Sequence, residues 1–411
     1  MVIESLPNKM LDGLVVIDLT RYIAGPYCTM LMADAGATVV KVEPSNGEDT
    51  RHLEPFLDTP GGEQISAYFL RMNRAKRSVA LDLKHPRGLV VLERLIASAD
   101  VLIENFRPGV MERLGLGAAR VSELNPRVVY CSISGFGHSA SPNRDRPAYN
   151  VVAEYEAGIS VPKGPESIPG AVGPPVGDMF PSLHALSGIL MALYRRNTTG
   201  HGERVDVAMY DSMLSLNELK ISYAELYGKQ WDPAAHPFYC PYGVFPVSDG
   251  FVCIDVTTDR QWKGYCEAIG QPDLYLLDGL STGPERVARY EEVIREPLEK
   301  WFAGVSRDEA VEAMIARGVP AAVIRHPGEV LGSAQTAARG MRIRVDSGDG
   351  ASVDTAGNPI KIGTSLDLTQ VSAPRVGADT RWVAREIARL DDEQVDDLIK
   401  EGILTSSEGT K

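Results

Sequence analysis

Short apolar runs alternate with helix-spaced stretches through the first third of the chain. Residues 14–19 (Leu14-Val15-Val16-Ile17-Asp18-Leu19) form a brief, nearly continuous apolar run of the kind that fills a buried parallel strand. Ala24-Gly25-Pro26 breaks it, and a helix is predicted from about 27 to 34, with Pro26 suited to a first turn. Gly36 ends that helix, and 38–43 reads as the next strand, completing a βαβ unit. The pattern then repeats. Strands are predicted at 78–83, 100–106 and 127–134, with helices at about 86–98, a short one ending near Leu114-Gly115, and one at 118–124. Such alternation implies an α/β fold, a Rossmann-like parallel sheet with helices on both faces. Ligands of such sheets bind outside the carboxyl ends of the strands. That rule gathers Ile23, Lys84, Asn105, Phe106, Arg107 and Phe136 on one rim.

Residues 138–176 are rich in loop formers, with one helix predicted at 149–158. Then come Gly173-Pro174-Pro175-Val176-Gly177-Asp178-Met179-Phe180 and an apolar run at 183–193. That run is apolar or small on nearly every face, as in a helix buried within a large domain. Asp178 has two readings. It caps the following helix, or it stands at a strand or loop end facing a cleft, with Gly177 leaving the backbone open to a substrate. Residues 195–202 read as a turn, 203–209 as a strand and 210–226 as a helix. The composition changes at 228–241, rich in Pro, Tyr and His, and 244–256 reads as a hairpin with Asp249-Gly250 at its turn. Helices near 258–269, 288–303 and 306–317 complete a smaller α+β domain. Strands at 341–345 and 359–363 and polar-faced helices at 378–389 and 391–401 need a core to lean on. The expected division is a large domain over 1–225, a small one over 226–330, and a segment 331–411 returning to the first.

Composition narrows the partners. A chain of 411 residues is long enough for two domains with separate cores. Its 44% hydrophobic and 24% charged content describe a soluble globular protein, and a net charge of −13 argues against nucleic acid or an anionic membrane as partner. Arg71, Arg74, Lys76 and Arg77 form a basic cluster that reads as a solvated face or as a seat for a phosphorylated ligand. The cysteines (Cys28, Cys131, Cys240, Cys253, Cys266) are scattered without CxxC or Cys/His ligand spacing, pointing to a reducing compartment and no structural zinc. With no signal peptide and no evident bilayer span, a cytoplasmic location is expected. A nicotinamide cofactor is disfavoured. Glu43 ends the second strand where a ribose-binding acid often sits, yet the turn Tyr22-Ile23-Ala24-Gly25-Pro26 lacks the glycine fingerprint, and Pro26 removes an N–H.

A series of motifs carries a more specific message. Asp18-Leu19-Thr20-Arg21-Tyr22-Ile23-Ala24-Gly25-Pro26, Ala33-Asp34-Ala35-Gly36-Ala37 and Val40-Lys41-Val42-Glu43-Pro44 open it. Asn73-Arg74-Ala75-Lys76-Arg77-Ser78, Leu81-Asp82-Leu83-Lys84, Glu104-Asn105-Phe106-Arg107-Pro108-Gly109 and Ser134-Gly135-Phe136-Gly137 follow in order. Gly177-Asp178, the run from Thr199-Gly200-His201-Gly202 to Val207, and Gly318-Val319-Pro320 complete it. From about residue 10 to 400 the chain resembles the family III CoA-transferases (the CaiB/BaiF family), which include formyl-CoA transferase.

The resemblance implies that Asp178 attacks an acyl-CoA thioester, giving an acyl-aspartyl anhydride and free thiolate. It implies CoA contacts from Ile23, Ala24, Leu81, Lys84, Asn105, Phe106, Arg107, Arg113 and Tyr149. Phe106 can face adenine, while Lys84, Arg107 and Arg113 can meet phosphates. Coenzyme A thioester is then a substrate, with no tightly bound cofactor and with a small carboxylic acid as second partner. The family fold is an interlocked homodimer, each chain an open ring linked through the other. Two features depart from formyl-CoA transferase. Ile23 stands where that enzyme has glutamine, and His236-Pro237-Phe238-Tyr239-Cys240-Pro241 replaces its glycine-run loop, so oxalate and formate do not carry over. The alternatives are a 2-methylacyl-CoA racemase and a CoA-ester-binding protein without turnover. Racemases of the family use a histidine where this chain has Tyr149, and His138 nearby reads as a solvent-exposed loop residue.

Overall fold

The computed structural model describes residues 9–139, 141–160, 170, 173–228, 236–362 and 370–407. The chain forms two compact units. One comprises Met1–Val161, Gly170–Asn217 and Leu331–Lys411, the other Pro162–Pro169 and Glu218–Val330.

In the first unit the elements run β1 (Val15–Asp18), α1 (Ala24–Asp34), β2 (Thr38–Glu43), α2 (Ala67–Asn73), β3 (Arg77–Leu81), α3 (Pro86–Ala97) and β4 (Val101–Glu104). They continue with α4 (Val110–Arg113), α5 (Ala118–Leu124), β5 (Val129–Ser134), α6 (Asn150–Glu156), α7 (Val176–Thr199), β6 (Arg204–Ala208) and α8 (Met209–Leu216). Near the C-terminus, β7 (Leu404–Thr405) returns to the sheet edge. The strand order is β7-β3-β2-β1-β4-β5-β6, parallel except for β7, which pairs antiparallel with β3. The six parallel strands thus follow the order 3-2-1-4-5-6 of a doubly wound sheet.

Successive side chains of a strand point to opposite faces, and both faces are dry. Val16, Val39, Val101 and Val129 pack with α1, α7 and α8 on one side. Ile17, Val40, Leu102 and Tyr130 pack with α3, α5 and the C-terminal helix Asp392–Lys400 on the other. Each such side chain contributes about 1.5–3 kcal/mol on burial. The second unit has its own core of Trp262, Tyr265, Leu298 and Phe302 under a three-stranded antiparallel sheet. Its hairpin Tyr242–Val247/Gly250–Asp255 turns at Ser248-Asp249.

Several expectations need correction. Helix α1 starts at Ala24, earlier than expected, and Gly25 in its first turn lies so close to Thr20 that a Cβ would meet that side chain at 2.2 Å. Helix α7 runs on through the polar stretch to Thr199, since Arg196 folds inward to Asp100 (2.9 Å) and the Arg127 carbonyl (3.1 Å). The helix expected over 210–226 breaks at Asn217, whose amide donates to the carbonyls of Ala157 and Gly158. Residues 359–362 form no strand, and Gly363 lies outside the described residues. Arg342–Asp346 pairs instead with Ser352–Ala356 on one side and Gln370–Ser372 on the other.

Half of the basic cluster, Arg74 and Lys76, is interior. Arg74 is 2% exposed and grips Asp34 at 2.8 Å, while Arg77 pairs with Asp379 and Arg71 lies over the Tyr68 ring. Lys76 reaches Asp18 at 3.0 Å and also donates to Asn73 and the Pro26 carbonyl. Burial opposes charge on Asp18, but Lys76, Lys41, Thr20 and Thr29 hold its carboxyl down at about 2. Asp18→Asn leaves Lys76 buried without its counter-ion, a change that costs about 3–5 kcal/mol in comparable pairs. Thermal denaturation should show a clearly lowered midpoint; an unchanged midpoint would mean that the pair adds nothing to stability.

Candidate active site

A cavity of about 330 Å³ opens where the carboxyl ends of β1, β4 and β5 meet. The strand order reverses between β1 and β4, and there the connections leave to opposite faces of the sheet, opening a crevice. The turn after β1 contributes Arg21, Tyr22 and Ala24; the turn after β4 contributes Asn105, Phe106 and Arg107; Ser134 and Gly135 follow β5. Arg146 and Tyr149 line it from the loop before α6, Asp178 from α7 and Met209 from α8.

The first two turns are stitched together. Asn105 Oδ1 accepts the Arg21 N–H at 2.9 Å, and its amide donates to the Arg21 carbonyl at 2.8 Å. Below them, Asp18 accepts from the Thr20 N–H, and Lys41 donates to the Thr20 carbonyl. Tyr22 is held at φ +64°, a left-handed conformation that costs a bulky residue of order 1–3 kcal/mol. Its ring meets Tyr149 edge-on at 5.8 Å. Strain of that kind persists where the surroundings impose it, and here they form a cavity wall. Arg21 lies over the Phe106 ring and 3.7 Å from Asp49, while Arg146 is held bidentate by Glu156. Three arginines, Arg21, Arg107 and Arg146, therefore line a cavity in a protein of net charge −13, two of them paired with carboxylates.

Asp178 occupies the first turn of the 24-residue helix α7. It caps nothing. The N-cap is Pro175, without a side-chain cap, and α6 supplies the missing acceptors. Glu154 Oε1 accepts the Gly177 N–H and Asn150 Oδ1 accepts the Asp178 N–H, each at 3.2 Å. Gly177 serves this packing rather than an open approach to substrate, since a Cβ there would meet the Asn150 carbonyl oxygen at 2.4 Å. The helix dipole favours an anion at this position. Burial, reinforced by the nearby Glu154 carboxylate, outweighs it and pushes the Asp178 pKa up to about 6.

Of the residues singled out from sequence, Ala24, Asn105, Phe106, Arg107, Tyr149 and Asp178 converge on the cavity. Ile23 is buried at the start of α1, and Leu81 is buried at the end of β3. Lys84 and Arg113 are exposed, and neither lines the cavity. Phe136 is buried under Arg146. His138 is not solvent-exposed as expected: its side chain is 4% exposed, facing Glu104 at 3.8 Å, and burial lowers its pKa. Arg21, Tyr22, Asp49, Arg146, Met209 and Glu154 were not singled out. Among the described residues no three of His, Cys, Asp and Glu converge as metal ligands.

The family model of CoA-transferase family III matches residues 11–380. The chain belongs to that family. It is 36% identical over 371 residues to a succinyl-CoA:mesaconate CoA-transferase of Haloarcula hispanica, covering 89% of this chain and 93% of the relative. It is 32% identical to a succinate–glutarate CoA-transferase of Agrobacterium fabrum over 94% of this chain and 98% of the relative. The crystal structure of a CaiB/BaiF family protein from Brucella suis superposes with a TM-score of 0.80 at 33% identity, covering 92% of this chain and all of that one. The protein is thus a CoA-transferase, acting on acyl-CoA and carboxylic acids as a class.

The environment of Asp178 has a consequence for stability. A folded pKa raised from 3.8 to about 6 means that the ionised form is disfavoured in the fold. The penalty is complete above about pH 6 and absent below 3.8. Asp178→Asn should raise stability by up to about 3 kcal/mol at pH 8, a gain that fades as pH falls from 6 to 4. Denaturant titrations at pH 4 and pH 8 check this; equal stability of variant and wild type at pH 8 would contradict it.

Proposed function

We propose that this protein moves CoA from an acyl-CoA donor to a small dicarboxylic acid through covalent intermediates on Asp178. The carrying observation is a half-buried carboxylate on the wall of the switch-point cavity, which three arginines also line. An Asp178 oxygen attacks the thioester carbonyl; the C–O bond forms, the C–S bond breaks, and CoA leaves as thiolate. The thiolate then attacks the aspartyl carbonyl of the anhydride, releasing the donor acid and leaving an aspartyl-CoA thioester. The acceptor carboxylate attacks that thioester, and the freed thiolate collects the new acyl group. No step needs water or a net proton. Proximity carries much of the rate, about 7–11 kcal/mol for well-oriented groups. Backbone N–H groups of the cavity loops are suited to stabilise the oxyanions.

Phe106 and Arg107 suit the nucleotide end of CoA. The acids in the relatives' names (mesaconate, succinate, glutarate) each carry a second carboxylate, for which Arg21 and Arg146 are candidate partners. Tyr149 stands in the cavity wall while His138 faces Glu104 and is not among the lining residues, which favours transfer over α-proton exchange.

A homodimer fits the surface of the first unit. Helix α7 buries one face in the core and leaves Leu190, Met191 (71% exposed) and Tyr194 (80%) outside, with Leu214 and Leu216 of α8 also exposed. Apolar area of that extent marks an interaction surface, and a second, interlocked copy of the chain is the proposed occupant.

Three outcomes follow. Asp178→Ala should lose at least ~10³-fold in kcat while binding CoA with similar affinity; retention of most activity would refute the nucleophile. The acid limb of kcat/KM for wild type should lie near pH 6, since Asp178 must be ionised to attack, and a limb near 4 would contradict its environment. Sedimentation over a dilution series should show dimer throughout, and folded monomer would rule out linked subunits.

A further inference from the structure

We infer that Glu154 is a positioning residue for the transfer reaction: from behind the first turn of α7 it fixes Gly177 and holds a charge against Asp178 that acylation relieves. The inference rests on Asp178 being the nucleophile.

Glu154 is 1% exposed and lies outside the cavity lining, so it does not meet substrate. Its Oε1 accepts the Gly177 N–H at 3.2 Å, which places a carboxylate one residue from Asp178 along the helix start. A cap alone needs no charge, because a neutral amide oxygen accepts the same bond. A buried carboxylate ordinarily has a cationic partner, yet among the described residues Glu154 forms no ion pair. Its support is the amino end of α7, where the helix dipole favours an anion. Two carboxylates thus share one helix start, the second of them facing the cavity.

This arrangement acts on the chemistry. When the Asp178 oxygen bonds to the thioester carbonyl carbon, the C–S bond breaks and its electron pair leaves with sulfur. The negative charge moves from the aspartate to the CoA thiolate, and no proton is transferred. Asp178 is neutral in the anhydride and in the aspartyl thioester, so the repulsion from Glu154 is present in the resting enzyme and gone in every covalent intermediate. Glu154 therefore raises the ionised nucleophile relative to the states that follow, and this difference between states accelerates acylation. The observed elevation of the Asp178 pKa has burial as its first cause and Glu154 as its second.

The test is Glu154→Gln, which keeps the length and the acceptor for Gly177 while removing the charge, beside Glu154→Asp, which keeps the charge. Acyl-CoA with an acceptor acid serves as substrate pair, and full kcat and kcat/KM profiles are taken from pH 4 to 9. Glu154→Gln should lower kcat by up to about tenfold, leave KM for acyl-CoA within about twofold, and move the acid limb measurably downward, by up to about one pH unit. Glu154→Asp should keep the limb near that of wild type and retain more of the rate. Equal rate losses in both variants with unshifted limbs would reduce Glu154 to packing and overturn the inference. Asp178→Asn in the same series separates the two claims: activity surviving there sinks the nucleophile itself, whereas its loss beside an unshifted Glu154→Gln limb sinks the role of Glu154 alone.

Discussion

Asp18 ends the central strand with no exposed surface, and Lys76, Thr20 and Thr29 converge on its carboxylate. Lys76 also donates to the Pro26 carbonyl inside α1, so one ion pair ties the end of β1, the start of α1 and the segment before β3. The turn between β1 and α1 is the inner wall of the cavity, and Asn105 copies its position onto the turn after β4. A buried pair of this kind is a poor source of net stability compared with apolar packing. What it supplies here is a defined path for a backbone that must hold Tyr22 at positive φ.

The second constraint is a cost. Holding the Asp178 pKa near 6 rather than 3.8 amounts to about 3 kcal/mol against the ionised fold at neutral pH. A protein with a total stability of order 5–15 kcal/mol carries such a term where the group has work to do. The sheet cores on both faces of β1, β2 and β4 offset it. The cost at the start of α7 and the proposed chemistry of CoA transfer therefore share one origin, a largely desolvated carboxylate held beside another carboxylate.

The strands were legible because a doubly buried strand is written as a short apolar run, and Thr38–Glu43 emerges with the bounds expected, as does the helix Ala118–Leu124. Strand order is not written that way. Leu81 ends β3 and Lys84 follows it, and β3 stands two strands from β1, roughly 10 Å along the sheet, so both end up outside the cavity. Both readings of Asp178, as a cap or as a strand or loop end, put the helix after it, whereas the helix begins at Val176, where α6 lends it acceptors from residues more than twenty positions earlier. Glu154 drew no notice in sequence because only folding brings it to Gly177. Arg74 and Lys76 misled for the same reason: their partners, Asp34 and Asp18, lie 40 and 58 residues away. Asp178 itself was found through ordered motifs, the local pattern alone fitting a cap equally well.

The central claim is that Asp178 carries the acyl group and then CoA. The most direct measurement is peptide mass spectrometry of wild-type enzyme incubated with acyl-CoA alone and quenched with hydroxylamine. A hydroxamate on the peptide containing Asp178, absent when either acyl-CoA or hydroxylamine is left out, is the predicted result. Turnover at full rate with no modification at Asp178, or with the hydroxamate on another residue, would contradict it.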